Sequence, residues 1–160
     1  MDILTSKGQM SRRHEQEAMH LFATHQPAVT LLETPKDRPA RLDGLIAEGD
    51  QLIGGYEVKC RYRLTHHDLM TKFKGEWLVT AEKLHECIAV CRALEIPFFG
   101  FLYLVDEKKL LIQRIWNPKT DRTVRIRTDR TATQKTINGG TIIRENAFID
   151  MHTCKVCTTP

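Results

Sequence analysis

The segment IPFFGFLYLV, residues 96–105, constrains the fold most, because it is a nearly continuous apolar run. It is too short to cross a bilayer, which takes about 20 apolar residues, and Pro97 and Gly100 interrupt it. A short apolar run of this kind is typical of a strand that is buried on both faces. We therefore predict an α/β or α+β fold in which helices flank a central mixed β-sheet.

Helical periodicity marks two other segments of the chain. Residues 11–25 carry an apolar stripe that ends at Pro27, and Ser11 is placed to cap this helix. Residues 80–95 have apolar side chains at spacings of three and four, which predicts a second helix. The polar stretch 63–75 has no clear period, so we expect a loop there that faces the active site or a partner.

Strand patterns fill the remainder of the core. They are predicted at residues 28–33, 40–48, 51–62 and 97–116, the last being a pair of strands around a polar turn. Only Gly49 and Asp50 separate the second strand from the third, so these two should form a hairpin. The core then spans residues 1–116, and residues 117–160 form a basic, β-rich extension of the same domain.

Charge and cysteine content narrow the class of protein. The 160 residues carry a net charge of +4, which permits a polyanionic partner. Five cysteines without a framework argue against a disulfide-stapled secreted protein. The start of the chain lacks the apolar stretch of a signal peptide. We therefore expect a cytoplasmic protein that makes no contact with a membrane.

The strand segment GYEVKCRYR, residues 55–63, has one wholly charged face. Because alternate side chains of a strand share a face, Glu57, Lys59 and Arg61 point to the same side. On a solvated face they would form a simple ion-pair cluster. On a middle strand between helices the charges need specific partners, because burying an unpaired charge is costly.

Asp43 lies on the preceding strand of the hairpin. A simple two-residue turn would pair it with Tyr56 and direct it away from Glu57. One extra residue, in the turn or as a bulge near the glycines at 54–55, would place Asp43 opposite Glu57. We predict this irregularity because two carboxylates and an ammonium that converge on one point suit phosphodiester hydrolysis.

Such a group would work with a hard divalent cation. Carboxylate oxygens of Asp43 and Glu57 would hold Mg²⁺, for which Mn²⁺ should substitute. The metal would stabilise charge on the phosphate oxygens and lower the pKa of its bound water. Lys59 would orient that water or stabilise the transition state as a cation.

The combination of Asp43 with the Glu-Val-Lys triplet at 57–59 resembles the PD-(D/E)xK nuclease superfamily. A helix that carries a glutamate precedes the pattern and a long helix follows it, so the resemblance covers residues 11–105. It implies a restriction-endonuclease-like fold and a metal-dependent nuclease. Leu42 departs from the pattern, since the superfamily motif has proline before the aspartate. Holliday-junction resolvases and phage-type endonucleases are the members to compare first.

Many members of the superfamily add a carboxylate from the first helix, and here Glu15 and Glu17 compete for that role. At about 100° per residue, Glu15 lies near the centre of the apolar stripe, whereas Glu17 lies off it. We therefore expect Glu15 to support the metal, with Glu17 as the alternative. Pairing with Arg12 is the simpler role for Glu15.

Further basic residues are candidates for contacts with phosphate. The alternative for Arg61 is a pair with an acid, and for the others it is solvent-exposed charge. The candidates are Arg61, Lys72, Lys74, Lys83, Arg125 and Arg127. Segment 114–144 holds eight basic residues against two acidic ones, so a stripe there could follow a DNA backbone.

The sequence thus predicts a Mg²⁺-dependent DNA endonuclease, which we expect to be a homodimer because two sites would serve two strands. A Holliday-junction or branched-DNA resolvase is one alternative, and an inactive nucleic-acid-binding protein on the same fold is another. At the C-terminus, His152, Cys154 and Cys157 resemble half a zinc site, for which a frayed tail is the simpler explanation.

Overall fold

A computed structural model of the protein describes residues 6–135 and 141–160. In chain order its elements are α1 (Ser6–His25), β1 (Val29–Glu33), β2 (Gly44–Glu48), β3 (Gln51–Arg61), α2 (His66–Thr71), β4 (Glu76–Thr80), α3 (Ala81–Leu94), β5 (Phe98–Leu104), β6 (Lys109–Asn117), β7 (Arg122–Thr123), β8 (Ile126–Lys135), β9 (Thr141–Asp150) and β10 (Lys155–Thr158). In these ranges, no helix combines the length and the apolarity that crossing a bilayer requires.

The strands form one large mixed sheet and one small antiparallel sheet. The large sheet has the order β1-β2-β3-β5-β6-β10, and β7 pairs with β6 beside this path. The β3–β5 pair is parallel, and the other neighbouring pairs are antiparallel. The small sheet has the order β4-β9-β8. The predicted order of helix, three strands, helix and two strands is confirmed, with α2 and β4 as additions before the long helix.

Helix α1 covers one face of the large sheet. Its buried side chains Ala18, Leu21 and Phe22 pack on Tyr56 and Phe101 from the central strands. The ring of Phe101 is stacked between two others, with centroid distances of 4.9 Å to Phe22 and 5.0 Å to Tyr56. This apolar layer explains why the uncharged face of β3 points towards α1.

Helix α3 and the small sheet cover the opposite face. Leu84 from α3 and Trp77 from β4 belong to a second core cluster, together with Leu102 and Ile115 of the large sheet. Strand β5 is therefore buried on both faces, as its apolar sequence predicts, and only Phe99 along it is partly exposed. The fold is a mixed sheet between a helical layer and a second layer of helix and strands.

The β2–β3 hairpin contains the predicted irregularity. Its register pairs Glu48 with Gln51, Ala47 with Leu52, Ile46 with Gly54, Leu45 with Gly55 and Gly44 with Tyr56. Ile53 is the residue without a partner, so the bulge lies immediately before the two glycines. One step beyond Gly44, the same register places Asp43 opposite Glu57, which confirms the prediction.

Three local predictions were wrong. Ser11 does not cap α1, because it lies inside the helix, which spans Ser6–His25 of the described residues. The segment 63–75 is not wholly a loop: it contains α2, whose cap Thr65 accepts a hydrogen bond of 3.0 Å from the backbone of Asp68. The C-terminal tail is not frayed, since β10 pairs with β6 and buries Cys157 in the layer beneath α1.

Candidate active site

The charged face of β3 lines a cavity of about 320 Å³ between β3, β4 and α3. Glu57, Lys59 and Arg61 all contribute to it, as their alternation along the strand predicts. Asp43 from the hairpin and Lys83 from α3 complete the charged part of the lining. The structure therefore brings these five side chains to one cavity.

A larger cavity of about 710 Å³ lies elsewhere, between the end of α1 and strands β5 to β7. Phe22, Ile46, Phe99 and Ile112 are among its lining residues, and no carboxylate from the described part of the chain lines it. Size alone would favour this cavity as a binding site. The charged groups that chemistry on a phosphodiester requires line the smaller one.

Asp43 is fixed at the point where β2 ends. Because β2 pairs with β3 only as far as Tyr56, the backbone of β3 beyond that residue is open on the β2 side. The backbone N–H of Val58 uses this opening to donate a hydrogen bond of 2.8 Å to Oδ2 of Asp43. Oδ1 of Asp43 lies 3.3 Å from Nζ of Lys36, which forms an ion pair with it.

Glu57 is a buried carboxylate with only 5% of its surface exposed. Its Oε1 lies 2.9 Å from Nζ of Lys59. Its Oε2 lies 3.5 Å from Nζ of Lys83 and is buried, with no hydrogen-bond partner among the described residues. Burial, and then the neighbouring charge of Asp43, raise the pKa of Glu57 even though two lysines oppose the shift.

Lys59 keeps its charge in this environment. Burial lowers the pKa of its ammonium, but the carboxylate of Glu57 and more distant acids outweigh that effect, so its pKa is raised overall. Arg61 lies two residues further along the strand, where burial lowers its pKa. Its guanidinium donates a hydrogen bond of 3.2 Å to the carbonyl of Cys60. The cavity thus contains a protonated lysine directly beside a buried carboxylate.

Two lysines lie beside the carboxylates although the sequence analysis did not predict it: Lys36 beside Asp43 and Lys83 beside Glu57. From the sequence, Lys83 is only a candidate for contact with phosphate. A lysine in the first turn of a helix opposes the helix dipole, and this signal could have indicated a nearby acid. Lys36 gave no such signal, because it lies on a loop between two prolines.

The two candidate carboxylates of α1 have different surroundings. Glu15 is half-buried, and burial followed by the charge of Asp43 raises its pKa. Glu17 lies 3.2 Å from a ring nitrogen of His14 and accepts a hydrogen bond of 3.3 Å from the hydroxyl of Tyr103. Burial raises the pKa of Glu17, but these partners lower it overall. Glu15 is therefore the carboxylate whose pKa responds to Asp43.

The donor set is compatible with a hard divalent cation. Among the described residues, no group of three or more His, Cys, Asp or Glu side chains is close enough to hold one ion. Mg²⁺ does not need such a group, since it is often bound through one or two carboxylates with water and substrate phosphates. Asp43 and Glu57 provide two carboxylates, and the buried Oε2 of Glu57 lacks a hydrogen-bond donor.

The residues of the half zinc pattern do not converge on one point. Cys157 is buried in the cluster beneath α1, whereas Cys154 packs against the cluster on the α3 side. His152 is exposed, and its ring nitrogen lies 2.5 Å from a carboxylate oxygen of Asp150. The two cysteines therefore belong to opposite faces of the large sheet.

The predicted phosphate contacts fall into two groups. Arg61 and Lys83 line the cavity, and the other four lie outside its lining. Among those four, Lys74 and Arg125 are exposed, and Lys72 at the end of α2 forms an ion pair with Asp68. Arg127 donates hydrogen bonds of 3.1 and 3.2 Å to both carboxylate oxygens of Glu76.

Comparison with known proteins gives limited information. No family model and no curated protein matches the sequence. Among solved structures, the chain is similar to Hjc, a Holliday junction resolvase from the archaeal hyperthermophile Archaeoglobus fulgidus. The match has 15% sequence identity and a TM-score of 0.46, and it covers 82% of this chain and 84% of that chain. The function of this chain has to be inferred from its own residues.

Proposed function

We propose that the protein is a metal-dependent deoxyribonuclease that hydrolyses phosphodiester bonds within DNA strands. The observation that supports this proposal is the placement of Asp43 opposite Glu57 by the bulge, with Lys59 beside them on the same cavity. A buried face is an expensive place for these charges. Ionisable groups with perturbed pKa values in a cleft are typical of functional sites.

Each residue has a role that follows from its contacts. Asp43 and Glu57 would hold Mg²⁺ or Mn²⁺, and Glu15 would support this group from α1. The bound metal would supply charge stabilisation at the phosphate and a more acidic water. Lys59 is protonated, because its pKa is raised, and so would orient the attacking water or stabilise the developing charge. The backbone N–H of Val58 holds Asp43 in place.

DNA would approach through positively charged parts of the surface. Arg61 and Lys83 line the cavity itself, and Lys72, Lys74 and Arg125 would contact phosphates further along the strand. Arg127 would have to leave Glu76 to join them. A homodimer would bring one site to each strand of a duplex.

The proposal is tested on supercoiled plasmid, linear duplex and a four-way junction, with Mg²⁺, Mn²⁺ or EDTA. We expect the wild type to cut in either metal and to be inactive in EDTA, with nicked circles as the first product from plasmid. Asp43→Asn and Lys59→Ala should lose cutting. Lys109→Ala removes a lysine that is paired with Glu107 outside the cavity, so this control should retain cutting.

The same assay can reject catalysis. If the wild type binds DNA with salt-dependent affinity but leaves all three substrates intact in both metals, the protein is a binding protein and not a nuclease. Cutting of the junction alone would restrict the activity to branched DNA.

A further inference from the structure

The two carboxylate oxygens of Glu57 each face a different lysine. Lys59, from the same strand, lies 2.9 Å from Oε1, and Lys83, from α3, lies 3.5 Å from Oε2. Within the part of the chain that the structure describes, Oε2 is also a buried oxygen without a hydrogen-bond partner. The carboxylate oxygen that can still accept a ligand is therefore the one that Lys83 approaches.

The position of Lys83 is held by fixed acceptors. Its ammonium donates hydrogen bonds to the backbone carbonyls of Arg41, at 2.8 Å, and Ala40, at 3.3 Å. These carbonyls belong to the segment that leads into Asp43. Lys83 therefore links α3 to the loop that precedes Asp43, while its charge lies beside Glu57.

The helix itself does not favour a cation at this position. Lys83 is the third residue of α3, and the first turn of a helix carries a partial positive charge. The N-cap residue Thr80 provides no side-chain hydrogen bond to offset it. Glu57 is the anion beside the ammonium, so the interaction between the two is a main electrostatic reason for the lysine to remain there.

A divalent cation at Oε2 would meet this ammonium, and like charges at close range repel each other. We propose that Lys83 is an internal counter-ion of Glu57. Its ammonium lies beside Oε2 and competes with a divalent cation for that oxygen. The inference rests on the proposed function only in taking Glu57 as a metal ligand. It makes Lys83 a positioning residue that sets the metal affinity of the site, independently of any cutting of DNA.

The test is a titration with Mn²⁺ in the absence of DNA. The dissociation constant is measured by isothermal titration calorimetry and from the electron paramagnetic resonance signal of free Mn²⁺. Lys83→Gln removes the charge and keeps a donor for the carbonyl of Arg41, whereas Lys83→Met removes both. Both variants should bind Mn²⁺ about tenfold more tightly than the wild type, because a like charge has been removed from the site. Glu57→Gln defines the part of the signal that belongs to this site.

A matched control separates this effect from the loss of any lysine. Lys109 is 32% exposed and lies 3.3 Å from Glu107, whereas Lys83 is 31% exposed. Lys109→Met should leave the Mn²⁺ affinity unchanged. The gain in the Lys83 variants should shrink at high salt, because screening weakens the repulsion in the wild type.

Equal or weaker Mn²⁺ affinity in Lys83→Gln would overturn the inference, as would the absence of any Glu57-dependent Mn²⁺ signal in both wild type and variant. If Lys83→Met does not fold, Lys83→Gln decides. Tighter binding together with an uncut plasmid would support the counter-ion and reject the nuclease. Metal-dependent cutting with unchanged affinity would reject the counter-ion alone.

Discussion

Replacing Glu57 with glutamine should stabilise the protein, although it removes a proposed metal ligand. The carboxylate is almost fully buried, whereas the side chains of its partners Lys59 and Lys83 are 41% and 31% exposed. Water can therefore solvate both ammonium groups once the carboxylate is neutral. The large penalty for leaving a buried charge unpaired does not arise, because the buried charge is the one removed.

The size of the gain follows from the cost of the buried charge. The raised pKa of Glu57 means that folding disfavours its ionised form, through burial and then through Asp43. Single stabilising substitutions commonly gain about 0.5–2 kcal/mol, and removal of this buried charge should fall within that range. A domain of this length gains about 2–4 °C in Tm for each kcal/mol, so the expected rise is about 1–8 °C.

The stability that Glu57→Gln gains over the wild type should increase with pH. Well below the unfolded-state value of 4.5, the carboxyl is protonated in both states and costs nothing extra. As the pH rises through the raised folded-state pKa, the wild type loses stability relative to the glutamine variant. The advantage of Glu57→Gln is therefore absent in strong acid and complete once the pH has risen above that folded-state pKa.

Urea and thermal unfolding in EDTA measure this difference. Glu107→Gln is the control, because Glu107 pairs with Lys109 and accepts a backbone hydrogen bond from His66, so its loss should bring no gain. The reasoning is refuted if Glu57→Gln is less stable than the wild type near neutral pH. A gain that persists unchanged in acid would also refute it.

Three further perturbations test the packing and charge around the site. Lys59→Met leaves Glu57 without its closest partner and should lower the free energy of unfolding by about 1–3 kcal/mol. The loss should be smaller when Glu57 is already replaced by glutamine. Equal losses in both backgrounds would contradict this prediction. The pKa of Asp150 is lowered, mainly by a backbone N–H, so its stabilisation is present above 3.8 and is lost as the pH falls through its folded pKa. As the pH falls, Asp150→Asn should therefore lose less stability than the wild type. Parallel plots of the free energy of unfolding against pH for the two proteins would contradict this. Gly100→Ala would place a Cβ 2.5 Å from the buried ring of Trp77 and should cost about 1–3 kcal/mol in urea unfolding, so unchanged stability would show that the ring moves freely.

The central part of the site was predictable from local rules. Alternation along β3 separates the face of Glu57 from that of Tyr56 without any knowledge of the neighbouring elements. Counting residues across the turn shows that Asp43 reaches Glu57 only if one residue is extra, and Ile53 is that residue. The period of two and the length of the turn are sufficient for both conclusions.

The surroundings of the site depended on contacts that no local pattern reveals. Lys36 reaches Asp43 because the hydroxyl of Thr34 holds the loop to the carbonyls of Leu42 and Asp43. Helix α2 has six residues, fewer than two turns, so it is too short to show a period. Strand β10 finds its partner β6 at a distant position in the chain, and a short polar tail does not indicate such pairing.

The most direct test of the central claim compares wild type and Glu57→Gln on supercoiled plasmid in Mg²⁺ and in Mn²⁺. Because the variant should be at least as stable as the wild type, a loss of cutting is not explained by unfolding. We expect nicked circles from the wild type that require the metal and none from Glu57→Gln. Equal cutting by the two proteins, or an intact plasmid with the wild type in both metals, would contradict the assignment of this cavity as a nuclease site.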